Sequence, residues 1–269
     1  MAHLECDTAT AIPTAVLVPP MLKKIPLILV PGLVCDDAVW KDQATDLADH
    51  ANVTIADHGL RDSLEEMAAA ILSRATDERF AIAGHSMGGR VALEVFRQAP
   101  HRVVGLGLLD TGIHALAAGA AGANERIGRQ KLVDLARREG MRTMAWQWVQ
   151  GMVHPSRLAE GPLIEAILDM MARKTPDIFE AQIRALLNRP DASPLLPHVK
   201  CPALVLCGND DAWAPLSRHE EMARMIPEST LVGVPECGHM CTMERPAAIT
   251  QAMRNWFRPV ATYMSRNAS

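Results

Sequence analysis

Phe80-Ala81-Ile82-Ala83-Gly84-His85-Ser86-Met87-Gly88-Gly89-Arg90-Val91-Ala92 sets a short apolar run directly against a Gly-x-Ser-x-Gly turn and then a helix-forming segment. A serine at such a strand-to-helix turn is held in a strained backbone conformation. Glycines two before and two after it allow strand and helix to approach closely. Its hydroxyl then projects from the carboxyl edge of a sheet, where the start of the following helix favours negative charge. A bare Gly-x-Ser-x-Gly arises by chance, so the flanking strand and helix and the third glycine, Gly89, give this one its weight.

Working outward, short β-branched runs alternate with longer amphipathic stretches, the pattern of a mostly parallel sheet covered by helices on both faces. Strands are expected at 26–30, 53–56, 80–83, 103–109, 203–206 and 230–234, and helices at 37–51, 63–75, 87–98, 217–225 and 246–256. The alternation stops near residue 112 and resumes near 200. The interval carries amphipathic helical faces, Met141/Met144/Ala145/Trp148/Met152 and Leu163/Ile164/Ile167/Leu168/Met171, which read as a helical cap inserted into the sheet. The expected organisation is an N-terminal extension at 1–24, a core at 25–111 and 197–269, and a cap at 112–196. Pro13, Pro19 and Pro20 discourage regular structure in the extension.

The chain has 269 residues, 49% of them hydrophobic and 22% charged, which suits one large core carrying an insertion. A formal net charge of −4 without long like-charge runs advertises no nucleic-acid or anionic-membrane surface. No apolar run approaches the roughly 18 residues of a membrane span. Glu5 and Asp7 stand where a secretory signal would carry positive charge, so a cytoplasmic location is expected. The six cysteines read as free thiols rather than a disulfide framework.

A serine hydroxyl is a weak nucleophile without a base, and the base needs a third group to fix its tautomer. His3, His50, His101, His198 and His219 read as structural or surface histidines. His239, in Val234-Pro235-Glu236-Cys237-Gly238-His239-Met240, differs because it follows the last expected strand. Ahead of it, Ala203-Leu204-Val205-Leu206-Cys207-Gly208-Asn209-Asp210-Asp211 ends a buried strand with two aspartates. The order serine, aspartate, histidine is one that this turn uses. Acyl chemistry also needs donors for an oxyanion, for which the backbone N–H groups of Met87 and of Leu33, after Pro31-Gly32, are the candidates. Asp36 or Asp37 should cap the next helix. The Cys237-x-His239-x-Cys241 run is too tightly spaced for the usual zinc sites.

Pro31-Gly32-Leu33, the Gly84–Gly89 turn, Gly208-Asn209-Asp210-Asp211-Ala212-Trp213-Ala214-Pro215 and Cys237-Gly238-His239-Met240 together resemble the capped serine α/β-hydrolase superfamily, with its esterases and enol-lactonases. The resemblance implies the α/β-hydrolase fold, with Ser86 as nucleophile, Asp211 as acid, His239 as base, and Leu33 and Met87 as the oxyanion hole. Asp211 is selected over Asp210 by its spacing from Gly208 and Pro215. Two departures are visible: many relatives have His-Gly where this chain has Pro31-Gly32, and the usual N-terminal strand pair has little sequence to supply it.

The function expected is cleavage of a small carboxylic ester through an acyl-enzyme, with no metal or organic cofactor. Enol-lactone hydrolysis, carbon–carbon hydrolysis, acyl transfer and perhydrolysis use the same triad, and ligand receptors share the fold. A small-molecule ester is the expected partner, with neither nucleic acid nor membrane, on a monomer or homodimer. Trp148, Met144 and Met152 from the cap and Trp213 from the core are expected to face a mainly apolar, uncharged substrate. Cys35 and Cys237 are expected in loops close to Ser86.

Overall fold

A computed structural model describes residues 24–267, so the expected extension at 1–24 lies outside the described residues except for Lys24. Six described strands, β1 (Ile25–Val30), β2 (Ala51–Ile55), β3 (Phe80–His85), β4 (Val103–Leu109), β5 (Ala203–Gly208) and β6 (Ser229–Val234), form one sheet in the order β2-β1-β3-β4-β5-β6. Every neighbouring pair is parallel. The continuous apolar runs account for this: β1, β3, β4 and β5 are buried along their whole length, as strands covered on both faces must be. The outer strands are less covered: β2 alternates covered and exposed residues, and in β6 only Val234 is buried.

The crossovers are α1 (Lys41–Asp46), α2 (Leu64–Arg74) and α3 (Met87–Gln98) in the first half and α8 (Leu216–Met225) in the second, and α9 (Cys241–Glu244) and α10 (Pro246–Arg266) follow the last strand. Between β4 and β5 stand α4 (Gly119–Glu139), α5 (Met141–Val149), α6 (Gly161–Ala172) and α7 (Pro176–Leu187), with no strand among them. This is the helical insertion that interrupts the sheet.

Two helices differ from expectation. A single helix over 37–51 is replaced by a 3-10 turn at Asp37–Trp40 and the short α1, after which the chain bends back. Ala51 is drawn into the sheet opposite Ile25, and that pairing outweighs helical continuation. Asp36 provides the cap, its Oδ1 accepting from Ala38 N at 3.0 Å. At the other end α10 continues past Trp256 to Arg266 despite Pro259, because Val260 is buried against the sheet. Gly105 makes this possible: a Cβ there would lie 2.7 Å from Val260 Cγ2 and 2.9 Å from the Trp256 ring.

Candidate active site

Ser86 joins β3 to α3 with φ 55° and ψ −117°, a conformation costing a side-chain-bearing residue about 1–3 kcal/mol. The surrounding glycines explain how the turn closes. A Cβ on Gly84 would stand 2.1 Å from the Gly88 carbonyl, and one on Gly88 would stand 2.1 Å from the Val30 carbonyl. Gly89 brings the helix onto Thr111, whose Oγ1 donates to the Ser86 carbonyl at 2.7 Å. Ser86 N in turn donates to the Leu109 carbonyl at 2.8 Å. The serine is thus fixed by β4 as well as by its own turn.

His239 and Asp211 reach this point on the loops after β6 and β5. His239 Nε2 lies 2.8 Å from Ser86 Oγ, and His239 Nδ1 lies 2.7 Å from Asp211 Oδ2. With the proton on Nδ1, the ring donates to Asp211 and leaves Nε2 to accept from the serine hydroxyl. The other Asp211 oxygen accepts from Trp213 N at 2.8 Å and Ala214 N at 2.9 Å. Burial alone would raise this carboxyl, but the facing imidazole and the two N–H donors hold it below its ordinary value. For His239, burial works against the charged ring, yet the Asp211 carboxylate outweighs it and holds the histidine above its ordinary value. Asp210 points elsewhere, accepting from Cys237 N at 3.4 Å.

Behind these residues lies a polar layer that sequence reasoning missed. Asp110, at the carboxyl end of β4 with φ 46°, is fully buried. It accepts from Gly208 N at 2.9 Å and Cys241 N at 3.3 Å, linking the loops that carry Asp211 and His239. Burial, reinforced by the charge of Asp211, pushes its carboxyl well above the usual range. His85 Nε2 lies 2.7 Å from the His239 carbonyl, and burial drives this ring down to about 4, so it is neutral and donates. Glu244, also buried, accepts from the backbone N–H groups of Gly238, Met240 and His154. The available signal was positional: Asp110 directly follows a wholly apolar strand at the edge where the other site residues gather.

A cavity of about 50 Å³ opens on Ser86 and His239, lined also by Leu33, Cys35, Arg129, Trp148, Met152 and Trp213. Of the expected pocket residues, Trp148, Met152 and Trp213 are brought here. Trp148 stacks on Trp213 with ring centroids 5.1 Å apart, and Trp213 lies 4.9 Å from the His239 ring. Met144 is not: it is wholly buried in the core of the insertion, because the inward face of α5 packs on its neighbours. Arg129 of α4, which was not among the expected pocket residues, also lines this cavity. Cys35 borders the cavity, whereas Cys237 is fully buried and is not part of its wall. The two candidate oxyanion donors flank Ser86. Met87 opens α3, where the first N–H groups have no intrahelical acceptor. Leu33 follows Gly32, whose Cβ position is 3.3 Å from Ser86 Cβ.

A larger cleft of about 350 Å³ lies among β1, β2 and α2, but none of Ser86, Asp211 or His239 borders it. It runs along the outer strand β2 from Asn52 to Asp57, on the far side of β1 from Ser86.

A doubly wound parallel sheet with a serine–histidine–aspartate chain on its carboxyl-edge loops defines the α/β-hydrolase class. Residues 27–252 match the alpha/beta hydrolase family, and the chain belongs to it. It is 31% identical to a thermophilic esterase from Thermogutta terrifontis, solved with malate bound; the match covers 88% of this chain and 90% of that one, with a TM-score of 0.78. An enol-lactonase from Burkholderia xenovorans LB400 shares the fold at 21% identity and a TM-score of 0.75, over 88% and 92% of the two chains. A dihydrolipoyllysine-residue acetyltransferase component of an acetoin cleaving system from Pseudomonas putida is 30% identical over 87% of this chain. The match spans 63% of that relative's length. Among the described residues no helix is long and apolar enough to cross a membrane.

Proposed function

We propose that this chain is a serine hydrolase that cleaves a small carboxylic ester through an acyl-enzyme. The observation that carries this reading is the unbroken hydrogen-bond chain from Ser86 Oγ through both His239 nitrogens to Asp211, with the serine on a strained turn. In the proposed reaction Ser86 Oγ attacks the ester carbonyl while its proton passes to His239 Nε2. The Asp211 carboxylate stabilises the resulting imidazolium. His239 then protonates the leaving alkoxide, and later takes a proton from the water that attacks the acyl-enzyme carbonyl. The N–H groups of Leu33 and Met87 are assigned to the tetrahedral oxyanion, each worth roughly 3 kcal/mol of transition-state stabilisation.

Support for the ester bond comes from the 31% likeness to an esterase. The 30% likeness to an acetyltransferase component favours a second reading, transfer of the acyl group to an acceptor other than water. Turnover of a panel of p-nitrophenyl esters and lactones, run with and without added thiol and alcohol acceptors, separates the two by product. Hydrolysis of no member of the panel, or hydrolysis that survives in Ser86→Ala, overturns the proposal.

A further inference from the structure

We propose that the cavity beside Ser86 ends in an anion-binding subsite built on Arg129, which takes the carboxylate of a substrate such as the half-ester of a short dicarboxylic acid. The word substrate rests on the hydrolase reading above; the subsite itself rests on the charge arrangement that follows.

Arg129 lines the same cavity as Ser86, His239, Trp148 and Trp213, with its side chain only 23% exposed. It spends one donor on the protein, Nε to Glu125 Oε1 at 2.9 Å. Among the described residues its two Nη groups have no protein acceptor. Glu125 is itself shared: Arg189 Nη1 and Nη2 reach its two oxygens at 2.8 Å each. A guanidinium placed there only to fasten α4 would use the outer fork of its donors. Arg129 lines the cavity and leaves that fork without a protein acceptor among the described residues.

The neighbourhood is short of negative charge. Arg90 and Arg218 converge on Gly112, where a Cβ would lie 3.0 Å from Arg90 Nη2 and 3.9 Å from Arg218 Nη1. Their hydrogen bonds go to backbone carbonyls, Arg90 to His114 at 2.9 Å and Arg218 to Trp213 at 3.0 Å. Of these four guanidinium groups only Arg129 and Arg189 bond a carboxylate, the Glu125 they share, while the nearby carboxylates of Asp191 and Glu221 face the His114 ring. Burial and the closeness of Arg189 and Arg218 press Arg90 down to about 9, so it stays protonated at neutral pH. A half-buried cation beside uncompensated like charges gains most from an anion delivered out of bulk water, because the pocket screens the pair less than a surface would.

The shape of the free fork selects the class of anion. Two parallel N–H groups match the two oxygens of a carboxylate. The cavity is small, so the acid group must sit within a few bonds of the carbonyl at Ser86. Succinate and glutarate half-esters meet that limit, with the intervening methylenes against Trp148 and Trp213.

The test measures binding rather than turnover, using Ser86→Ala so that an ester is held without being cleaved. Monomethyl succinate and monomethyl glutarate are compared with dimethyl succinate by calorimetry at low salt. The half-esters are expected to bind at least about tenfold more tightly than the diester, an advantage that shrinks as salt is raised. Adding Arg129→Gln should erase the preference, and Arg129→Lys, which keeps the charge but loses the fork, should leave part of it. Equal affinity for half-ester and diester, or a preference that survives Arg129→Gln in a protein with unchanged circular dichroism, overturns the subsite. If Arg129→Gln does not fold, Arg129→Lys decides: a preference equal to that of the unsubstituted arginine overturns the proposal. Failure of the hydrolase reading gives a different result, ester turnover that is absent or independent of Ser86, and leaves this binding ratio intact.

Discussion

The backbone N–H of His239 donates to the carbonyl of Met152 at 2.6 Å, tying the loop of the proposed base to the helical insertion. Gly238 lets the two strands of chain meet, since a Cβ there would lie 2.7 Å from both His154 N and Met152 O. Gly238→Ala must separate these backbones and carry His239 away from Ser86. A displacement on the order of 1 Å at such a site costs about a hundredfold in rate. We expect kcat to fall by at least about tenfold, more than the loss in melting temperature would explain. A kcat within about twofold of the unsubstituted protein would show that the insertion does not help place the histidine.

Ser86 should be the only serine labelled by a fluorophosphonate probe, because only a hydroxyl with a base at hydrogen-bond distance attacks phosphorus quickly. Ser86→Ala should lose both labelling and ester turnover. Label found on that variant by intact mass would move the nucleophile elsewhere.

The two adjacent aspartates should separate sharply. Asp211→Asn removes the carboxylate that fixes the Nδ1–H tautomer and is expected to lower kcat by about 10⁴. Asp210→Asn alters a 3.4 Å contact to Cys237 N and should cost little. Steady-state kinetics on the two variants decide, and the reverse ranking would reassign the acid.

How far the sequence was legible follows from the range of each interaction. The Ser86 turn, the strand that enters it and the helix that leaves it are local, so the turn and α3 could be read from a single window. Asp211 and His239 were legible because each follows an apolar strand whose carboxyl end the fold brings to one edge. Asp110 met the same positional condition, but its partners, Gly208 N and Cys241 N, lie 98 and 131 residues away, and no local pattern announces them. Met144 failed as a reading, and Arg129 was not singled out at all, for a related reason. Helical spacing says which residues share a face, but not which face the rest of the fold turns toward the cavity. Trp148 and Met144, on one helix, end respectively on the cavity wall and in the core.

Acid should inactivate the enzyme through His239, which must be neutral to accept the Ser86 proton. Although burial disfavours the charged ring, Asp211 raises it above its ordinary value, so the acid limb of kcat/KM should have its midpoint at or above about pH 6.5. The sign for stability is opposite. A histidine raised on folding stabilises the fold below its unfolded pKa of about 6.5, and that contribution fades as pH climbs through the folded value. Activity therefore rises over the range in which this contribution is lost. A kcat/KM that stays flat down to about pH 4 would remove His239 as the base.

Asp110 should give the protein a stability that declines with pH. An unfolded aspartate releases its proton near pH 3.9, whereas burial and the charge of Asp211 keep the folded Asp110 protonated well above that. From about pH 4 upward the folded state then binds more protons than the unfolded one, and stability falls with pH until the folded group ionises. Asp110→Asn abolishes that slope. Its amide oxygen can still accept from Gly208 N, but its NH₂ faces the Cys241 N–H, setting donor against donor in a dry site. At low pH the variant should therefore be less stable by about 1–3 kcal/mol, the cost of a buried donor left without an acceptor. As pH rises the unsubstituted protein loses the Asp110 contribution, which the variant does not have, so the gap should close. Urea unfolding of both proteins at about pH 5 and about pH 8 measures the two gaps. A gap that stays constant, or widens toward alkaline pH, would mean that Asp110 is ionised in the folded state and that its two backbone donors, rather than burial, set its charge.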